Sequence, residues 1–448
     1  RRVDTDEIVG LFKYNRTYYT HMTLTPAGYL SRLVEKQIEI GLKSAGAISI
    51  EGPKSCGKTW CARNIAESEF SLVNPDSNFI NRKIAEIEPT TALEGKEPHL
   101  IDEWQEVPTI WDAVRFVVDQ DKRYGRFILC GSTVVNRSEI MHSGTGRILS
   151  IRMHTMSLFE SGDSSGEISL KGLFNGEFKT IRCKTRSLDE LIQLTIRGGW
   201  PNLLGKDEID ISFTLKDMLD KVCEIDCQKV DGKDRDINKL KKTIKSLARN
   251  ESTIAAKAKI AADIREFDTE PVEEETVSEY LDTFKRLFIV EDQPAYSPNY
   301  RSSVRVGKNP KRHFTDPSLA IAAMELNSES LKRDLNTFGF MFEALCERDL
   351  RIYAQTLGGE LYHYRDHSGR EIDAVVEIPG GEWGAFEIKL GSNQTDDASQ
   401  NLKNIARFIE NDGNAKPPRF LCVISGTEGF AYRRPDGVYV VPICMLGP

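Results

Sequence analysis

The chain has 448 residues, 40% hydrophobic and 29% charged, with a net charge of −8, a balance expected of a globular protein with several cores, since one core rarely exceeds about 250–300 residues. The negative charge argues against a chain that coats nucleic acid through overall positive charge, so any such contact must be local. No run of about 18 apolar residues occurs and the start lacks a charged-then-apolar signal pattern, so neither membrane insertion nor secretion is predicted and a cytoplasmic location is expected.

The chain opens Arg1-Arg2 without Met, and residues 1–27 are read as a leader without functional weight. Apolar residues at helical spacing from Tyr29 to Ser44 predict a helix. The apolar run Ala47-Ile48-Ser49-Ile50 predicts a buried strand. Gly52-Pro53-Lys54-Ser55-Cys56-Gly57-Lys58-Thr59 follows it and fits G-x-x-x-x-G-K-[ST], and Trp60 to Ala66 predicts the helix that leaves it. Glycines at both ends let the backbone curl until its N–H groups face one phosphate, where the helix N-terminus adds partial positive charge. Lys58 is then expected on the β- and γ-phosphates of ATP, and Thr59 on Mg²⁺.

His99-Leu100-Ile101-Asp102-Glu103-Trp104 is an apolar strand ending in adjacent carboxylates, about 45 residues after the phosphate loop. In that context Asp102 is expected to hold Mg²⁺ and Glu103 to polarise the attacking water. Arg126 to Gly131 predicts another buried strand ending in Ser132 and Thr133. Either hydroxyl is a candidate sensor of the γ-phosphate, and a strand-ending turn accounts for the same residues. Ser143-Gly144-Thr145-Gly146-Arg147 places a guanidinium on a Gly-rich loop, so Arg147, rather than Arg152 on the next strand, is the candidate arginine finger. Arg197, at a helix end, is a candidate nucleotide contact. Nine cysteines without paired close spacings read as reduced thiols, Cys223 and Cys227 as one helix face, and no zinc is expected.

Together these residues resemble an AAA-type P-loop ATPase. The stretches from Gly52, from Leu100 (Leu-Ile-Asp-Glu-Trp-Gln-Glu-Val-Pro) and from Met156 (Met-Ser-Leu-Phe-Glu) resemble those of one prokaryotic family of such ATPases, over about residue 28 to the end. The resemblance implies a C-terminal domain of unknown function with a restriction-endonuclease-like fold.

Farther on, a basic amphipathic helix over residues 233 to 249, a second from Lys257 to Ile264 and a third from Glu274 to Leu287 lead into a strand at Phe288-Ile289-Val290, which is winged-helix order. Glu273-Glu274-Glu275 at the start of the third helix repels phosphate, which argues against ordinary major-groove reading. The hairpin loop from Arg301 to His313 is strongly basic and would grip a DNA backbone as a wing; a solvated loop, or one docked on the ATPase, fits equally.

The last part opens with a mainly apolar helix over residues 340 to 350 that bears Glu343. Two strands follow, Arg370 to Glu377 and Ala385 to Leu390, and look like the D-x(n)-[DE]-x-K core of restriction-endonuclease-like nucleases. Alternation puts Glu387 and Lys389 on one face, with Asp373 opposite on the partner strand. Asp373 and Glu387 are candidate Mg²⁺ ligands, with the Ile388 carbonyl as a further one, and Lys389 would orient or deprotonate the attacking water. Glu343 is placed to support them, and Gln400 and Lys403 to contact a phosphate.

The expectation is therefore an α/β chain: an AAA-type P-loop ATPase domain over residues 28–205, a winged-helix-like domain over 206–315 and a restriction-endonuclease-like domain over 316–448. ATP and Mg²⁺ are the expected cofactors, with DNA and a second copy of the chain as partners. The leading function is an ATPase cycle controlling a DNA-directed nuclease-like domain. Its rival is a nucleotide switch or scaffold whose last domain binds protein or nucleic acid without cutting.

Overall fold

Strands that are apolar on both faces belong inside a parallel sheet covered by helices, and the first unit is built that way. The computed structural model describes residues 24–132, 140–265, 272–299, 302, 308–366, 368–411 and 416–448. Its first elements are α1 (Glu35–Ser44), β1 (Ala47–Glu51), α2 (Lys58–Ile65), β2 (Ser68–Ser71), β3 (His99–Asp102), α3 (Thr109–Asp121), β4 (Phe127–Gly131) and β5 (Ile148–Arg152). The strands form one parallel sheet in the order β2-β3-β4-β1-β5. The register sets Glu51 beside Gly131 and Arg152, and Asp102 beside Cys130. The C-terminal ends of β1, β3 and β4 thus share one edge, where ligands of α/β sheets bind.

Helix α1 is shorter than the predicted 29–44. The Arg32 N–H goes to the Glu35 carboxylate at 2.6 Å and the Leu33 N–H to the Glu160 carboxylate at 2.9 Å. Both acceptors are side chains, so the helix starts only after them.

A short strand, β6 (Ile181–Arg182), precedes the helical middle: α4 (Leu188–Arg197), α5 (Glu208–Lys221), α6 (Ile237–Arg249), α7 (Lys257–Arg265) and α8 (Glu274–Arg286). Helix α4 starts at a capping box of Ser187 and Glu190, and α5 and α6 start at side-chain caps from Asp207 and Asp236. Strands β7 (Val290–Gln293) and β8 (Lys311–Phe314) close the middle as an antiparallel pair, Gln293 facing Lys311. One expectation fails here. Lys311, Arg312 and His313 belong to strand β8 and are buried, so they are not part of a solvent-facing basic wing. Arg301, Ser303, Val304, Arg305, Val306 and Gly307 of that loop lie outside the described residues.

The last unit contains α9 (Leu335–Thr356), β9 (Glu360–Arg365), β10 (Glu371–Ile378), β11 (Glu382–Lys389), α10 (Thr395–Asn411), β12 (Phe420–Ser425), β13 (Phe430–Arg433) and β14 (Tyr439–Pro442). Its sheet runs β9-β10-β11-β12-β14-β13-β6. The β9–β10 and β10–β11 pairs are antiparallel, and β11 and β12 are parallel across α10. Strand β6 pairs with β13, and Ile168-Ser169 with Leu446-Gly447, so a segment that the sequence places before residue 205 is stitched to the far end of the chain.

One hydrophobic cluster runs from Val34 through Phe284 to Leu446. A second, with Leu129 and Trp111, fills the other face of the first sheet, and a third, with Val375, Ala385 and Leu402, lies between α10 and the last sheet.

Candidate nucleotide and carboxylate sites

The loop between β1 and α2 is bent by left-handed backbone at Ser55 (φ +64°) and Gly57 (φ +102°). Gly52 has no room for a side chain: a Cβ there would lie 2.2 Å from the Met153 carbonyl oxygen. Buried Lys58 donates from Nζ to the Pro53 carbonyl at 2.8 Å, so the ammonium lies over the loop. The Thr59 hydroxyl donates to Asp102 Oδ1 at 2.9 Å, joining the two oxygens expected to hold Mg²⁺. Burial, and then the charge of Glu103, push the Asp102 carboxyl up to about 6. Two hard oxygen donors at a helix N-terminus fit a magnesium ion that shares its shell with phosphate and water.

Glu103 sits at φ +54°, a conformation costly for any residue with a side chain. Its carboxylate accepts from Gln105 Nε2 and from the Ser132 hydroxyl, the latter at 3.3 Å. Ser132, at the end of β4, thus touches the candidate catalytic carboxylate; Thr133 lies outside the described residues. A cavity of about 760 Å³ opens along this edge, lined by Tyr29, Lys58, Thr59, Trp60, Glu103 and Pro201. A second, of about 350 Å³, adjoins Lys54, Ser55, Ser132 and Asp226. Lys54 reaches Asp226 at 2.5 Å, tying the loop to the π-helical turn Val222–Asp226 after α5.

Two residues that sequence reasoning missed hold the loop in place. Arg32 donates to the Cys56 carbonyl at 2.7 Å, to the His154 carbonyl at 2.9 Å and to Glu160 at 3.0 Å. Glu160 also accepts the Ser157 N–H and hydroxyl. Burial works to raise the Glu160 carboxyl, and Arg32 with the N–H donors outweighs it and holds it low. The only prior sign of Glu160 was its place at the end of Met156-Ser157-Leu158-Phe159-Glu160; Arg32 carries no local signal.

The two arginines expected near nucleotide are engaged elsewhere. Arg197 pairs with Asp163 at 2.8 Å and is not among the residues that line the cavity. Exposed Arg147 pairs with Asp119 at 2.7 Å, also away from the chain's own pocket. Arg152 stacks on the Phe288 ring at 3.9 Å and pairs with Glu291.

In the last sheet the predicted trio does converge. Lys389 Nζ lies 3.1 Å from Glu387 and 3.5 Å from Asp373, and the Ile388 N–H donates to Asp373 Oδ2 at 2.7 Å. Burial, then the Asp373 charge, push the Glu387 carboxyl up to about 7. Its Oε2 is buried without a hydrogen-bond partner, and Asn401 donates to its Oε1 at 3.3 Å. An unpaired buried carboxylate oxygen beside a second carboxylate fits a divalent cation. Among the described residues no three His, Cys, Asp or Glu are grouped as a complete metal cage. Gln400 and Lys403 are not in this cluster: they bond Asn404 at 2.8 Å and Asp436 at 3.0 Å, while Asn401 carries the α10 contact.

Glu343 turns toward a cation the sequence did not assign to this region. The buried ammonium of Lys311 pairs with Glu343 and with Glu347, the latter at 2.8 Å, and reaches the Asp373 carbonyl at 3.4 Å. Burial alone would lower the Lys311 pKa; Glu347 and Glu343 outweigh it and keep the group charged.

Residues 44–161 match the model of the AAA domain, residues 188–330 that of the domain of unknown function DUF8612, and residues 338–446 that of the domain of unknown function DUF4143. The first match, with the phosphate loop on a parallel sheet, defines an AAA-type P-loop ATPase domain. Uncharacterized proteins of Mycobacterium bovis and Mycobacterium tuberculosis are each 23% identical over 368 residues, covering 78% of this chain and 72% of the relative. Among solved structures, a Walker-type ATPase of Pyrococcus abyssi is similar at a TM-score of 0.41 and 11% identity, over 67% of this chain and 99% of that one. A variant of Thermotoga maritima RuvB is similar at a TM-score of 0.28 and 19% identity, over 61% of this chain and 94% of that one.

Proposed function

We propose that the chain binds and hydrolyses ATP with Mg²⁺ at its phosphate loop, and that the nucleotide cycle controls a DNA-directed, nuclease-like C-terminal domain. In this reading residues 52–59 cradle the phosphates and Lys58 neutralises the β- and γ-phosphates. Thr59 and Asp102 hold Mg²⁺, Glu103 orients the attacking water, and Ser132 positions Glu103. Arg147, exposed in the turn that enters β5, completes the pocket of a neighbouring copy.

The observation that carries the nuclease-like part is the meeting of the Asp373 and Glu387 carboxylates, on adjacent strands, at Lys389 Nζ, which lies 3.5 Å from the first and 3.1 Å from the second. The helix-three-strand-helix-strand order from α9 to β12 supports a restriction-endonuclease-like core, and three helices followed by the β7–β8 pair support a winged-helix-like middle. When bound, the metal lowers the pKa of a coordinated water and offsets charge on the phosphate. The protein's part is then to fix the two carboxylates and to hold the Lys389 ammonium where it can orient that water. Control by nucleotide is supported by partly buried Glu291 of β7, which receives Arg152 and His154 from the β5 end of the ATPase sheet and Arg351 from α9.

The test is cleavage of plasmid and of single-stranded DNA with Mg²⁺ or Mn²⁺, with and without ATP. Cutting by the native chain is expected to vanish in Asp373→Ala and in Lys389→Ala. Native protein that binds DNA and leaves it whole under every condition would move the reading to a nucleotide switch with a binding module.

A further inference from the structure

Lys311 belongs to β8 of the middle segment, yet its ammonium lies entirely among groups of the last unit: the carboxylates of Glu343 and Glu347 and the carbonyl of Asp373. Burying an ammonium is costly unless charge and geometry compensate it. Here the compensation consists of hard oxygens only, the donor type that otherwise surrounds Mg²⁺ or Mn²⁺. Asp373 is shared between two places. Its carbonyl faces Lys311, and its Oδ2 faces the Ile388 N–H and Lys389 beside the unpaired Oε2 of Glu387.

Many phosphoryl-transfer sites hold two cations about 3.5–4 Å apart, one on each side of the reacting phosphate. We infer that Lys311 stands in for the second cation: the C-terminal site takes a single divalent ion, on Asp373 and Glu387, and the ammonium supplies the other positive charge. This rests on the metal-binding part of the reading above and adds to it a stoichiometry and a residue from outside the last unit. Lys311 is then a positioning residue, holding Glu343 and Glu347 away from metal. It also makes the site complete only while β8 is docked against α9.

The test is a count of Mn²⁺ bound by the full, nucleotide-free chain, read from loss of the free-ion electron paramagnetic resonance signal. Taking the difference from Asp373→Asn cancels ions held elsewhere. A single ion that Asp373→Asn loses and Glu343→Gln keeps is the expected native result. Lys311→Met should bind one ion more, and the added ion should disappear again when Glu343→Gln is combined with it. Two native ions at this site, or loss of the native ion in Glu343→Gln, overturns the inference, as does a Lys311→Met chain of native circular dichroism with the native count. If Lys311→Met fails to fold, the native and Glu343→Gln counts still decide. An absence of any ion sensitive to Asp373→Asn overturns the metal reading itself, a result distinct from a wrong count.

Discussion

Between Gly52 and Thr59 the backbone makes the site: left-handed turns at Ser55 and Gly57 and a helix start gather donors from one continuous stretch, while Asp102, Glu103 and Ser132 come from the ends of neighbouring strands. Around Asp373 the backbone contributes little and side chains do the work. Carboxylates from α9, β10 and β11 meet ammonium groups from β8 and β11. A backbone-built pocket tolerates change around it as long as its curve is held, whereas a charge-built one depends on every partner, because removing one leaves another buried and uncompensated.

The largest effect should come at the nucleotide pocket, from Glu103, the side chain proposed to act on the attacking water. Glu103→Gln keeps the shape beside Ser132 and Gln105 and removes the charge proposed to polarise water, so ATP turnover should fall by roughly 10²–10⁴-fold. Binding of a fluorescent ATP analogue should stay near native, while Lys58→Ala should abolish it. Turnover surviving in Glu103→Gln would move the base elsewhere and erase the contrast between a backbone that binds and a side chain that reacts.

Next in size is the support beneath the loop. Arg32 and Glu160 form a buried pair at 3.0 Å, and Arg32→Ala would leave Glu160 unpaired. Urea unfolding should show a loss of about 3–5 kcal/mol, the usual result of halving a buried ion pair. Because Arg32 also grips the Cys56 carbonyl, nucleotide affinity should drop in the protein that remains folded. Arg32→Met combined with Glu160→Met should recover stability without recovering affinity. Equal recovery of both would mean that the contact to Cys56 is idle.

How much of this was legible follows from how far apart the partners stand. The phosphate loop, the Asp102-Glu103 strand end and the Asp373, Glu387 and Lys389 alternation are local patterns, and period-2 geometry was enough to place the last three together. Arg32 and Glu160 are 128 residues apart, and Lys311 meets Glu347 across 36. No window contains such pairs. Lys311, Arg312 and His313 read as a basic loop because the carboxylates that bury them lie on other elements. On α10 it is Asn401 that reaches Glu387, a contact set by the packing of the helix on the sheet and by no local pattern. Arg197 meets Asp163 across 34 residues, again beyond any local pattern.

The smallest predicted effect separates the two regions by pH. Glu251, buried behind β8, accepts the Phe314 N–H at 3.0 Å and lies 3.0 Å from His313 Nδ1. Burial, with Glu347 nearby, pushes its carboxyl up from 4.5 to about 8. The folded chain therefore binds this proton more tightly than the unfolded chain does, so the contribution is present at low pH and is lost as pH rises from 4.5 toward 8. His313 acts in the opposite sense. Burial, then the charges of Arg351 and Lys311, hold its pKa well below the usual value, so its contribution grows as pH rises through about 6.5, where the unfolded imidazole gives up its proton. Comparison of Glu251→Gln with the native chain isolates the first group. Native stability should fall by roughly 2 kcal/mol relative to the variant between about pH 6 and 8, at about 1.4 kcal/mol per unit for one proton. Parallel urea midpoints for the two proteins over that range would show that Glu251 titrates normally and that the charge cluster behind β8 is more open to water than its burial implies.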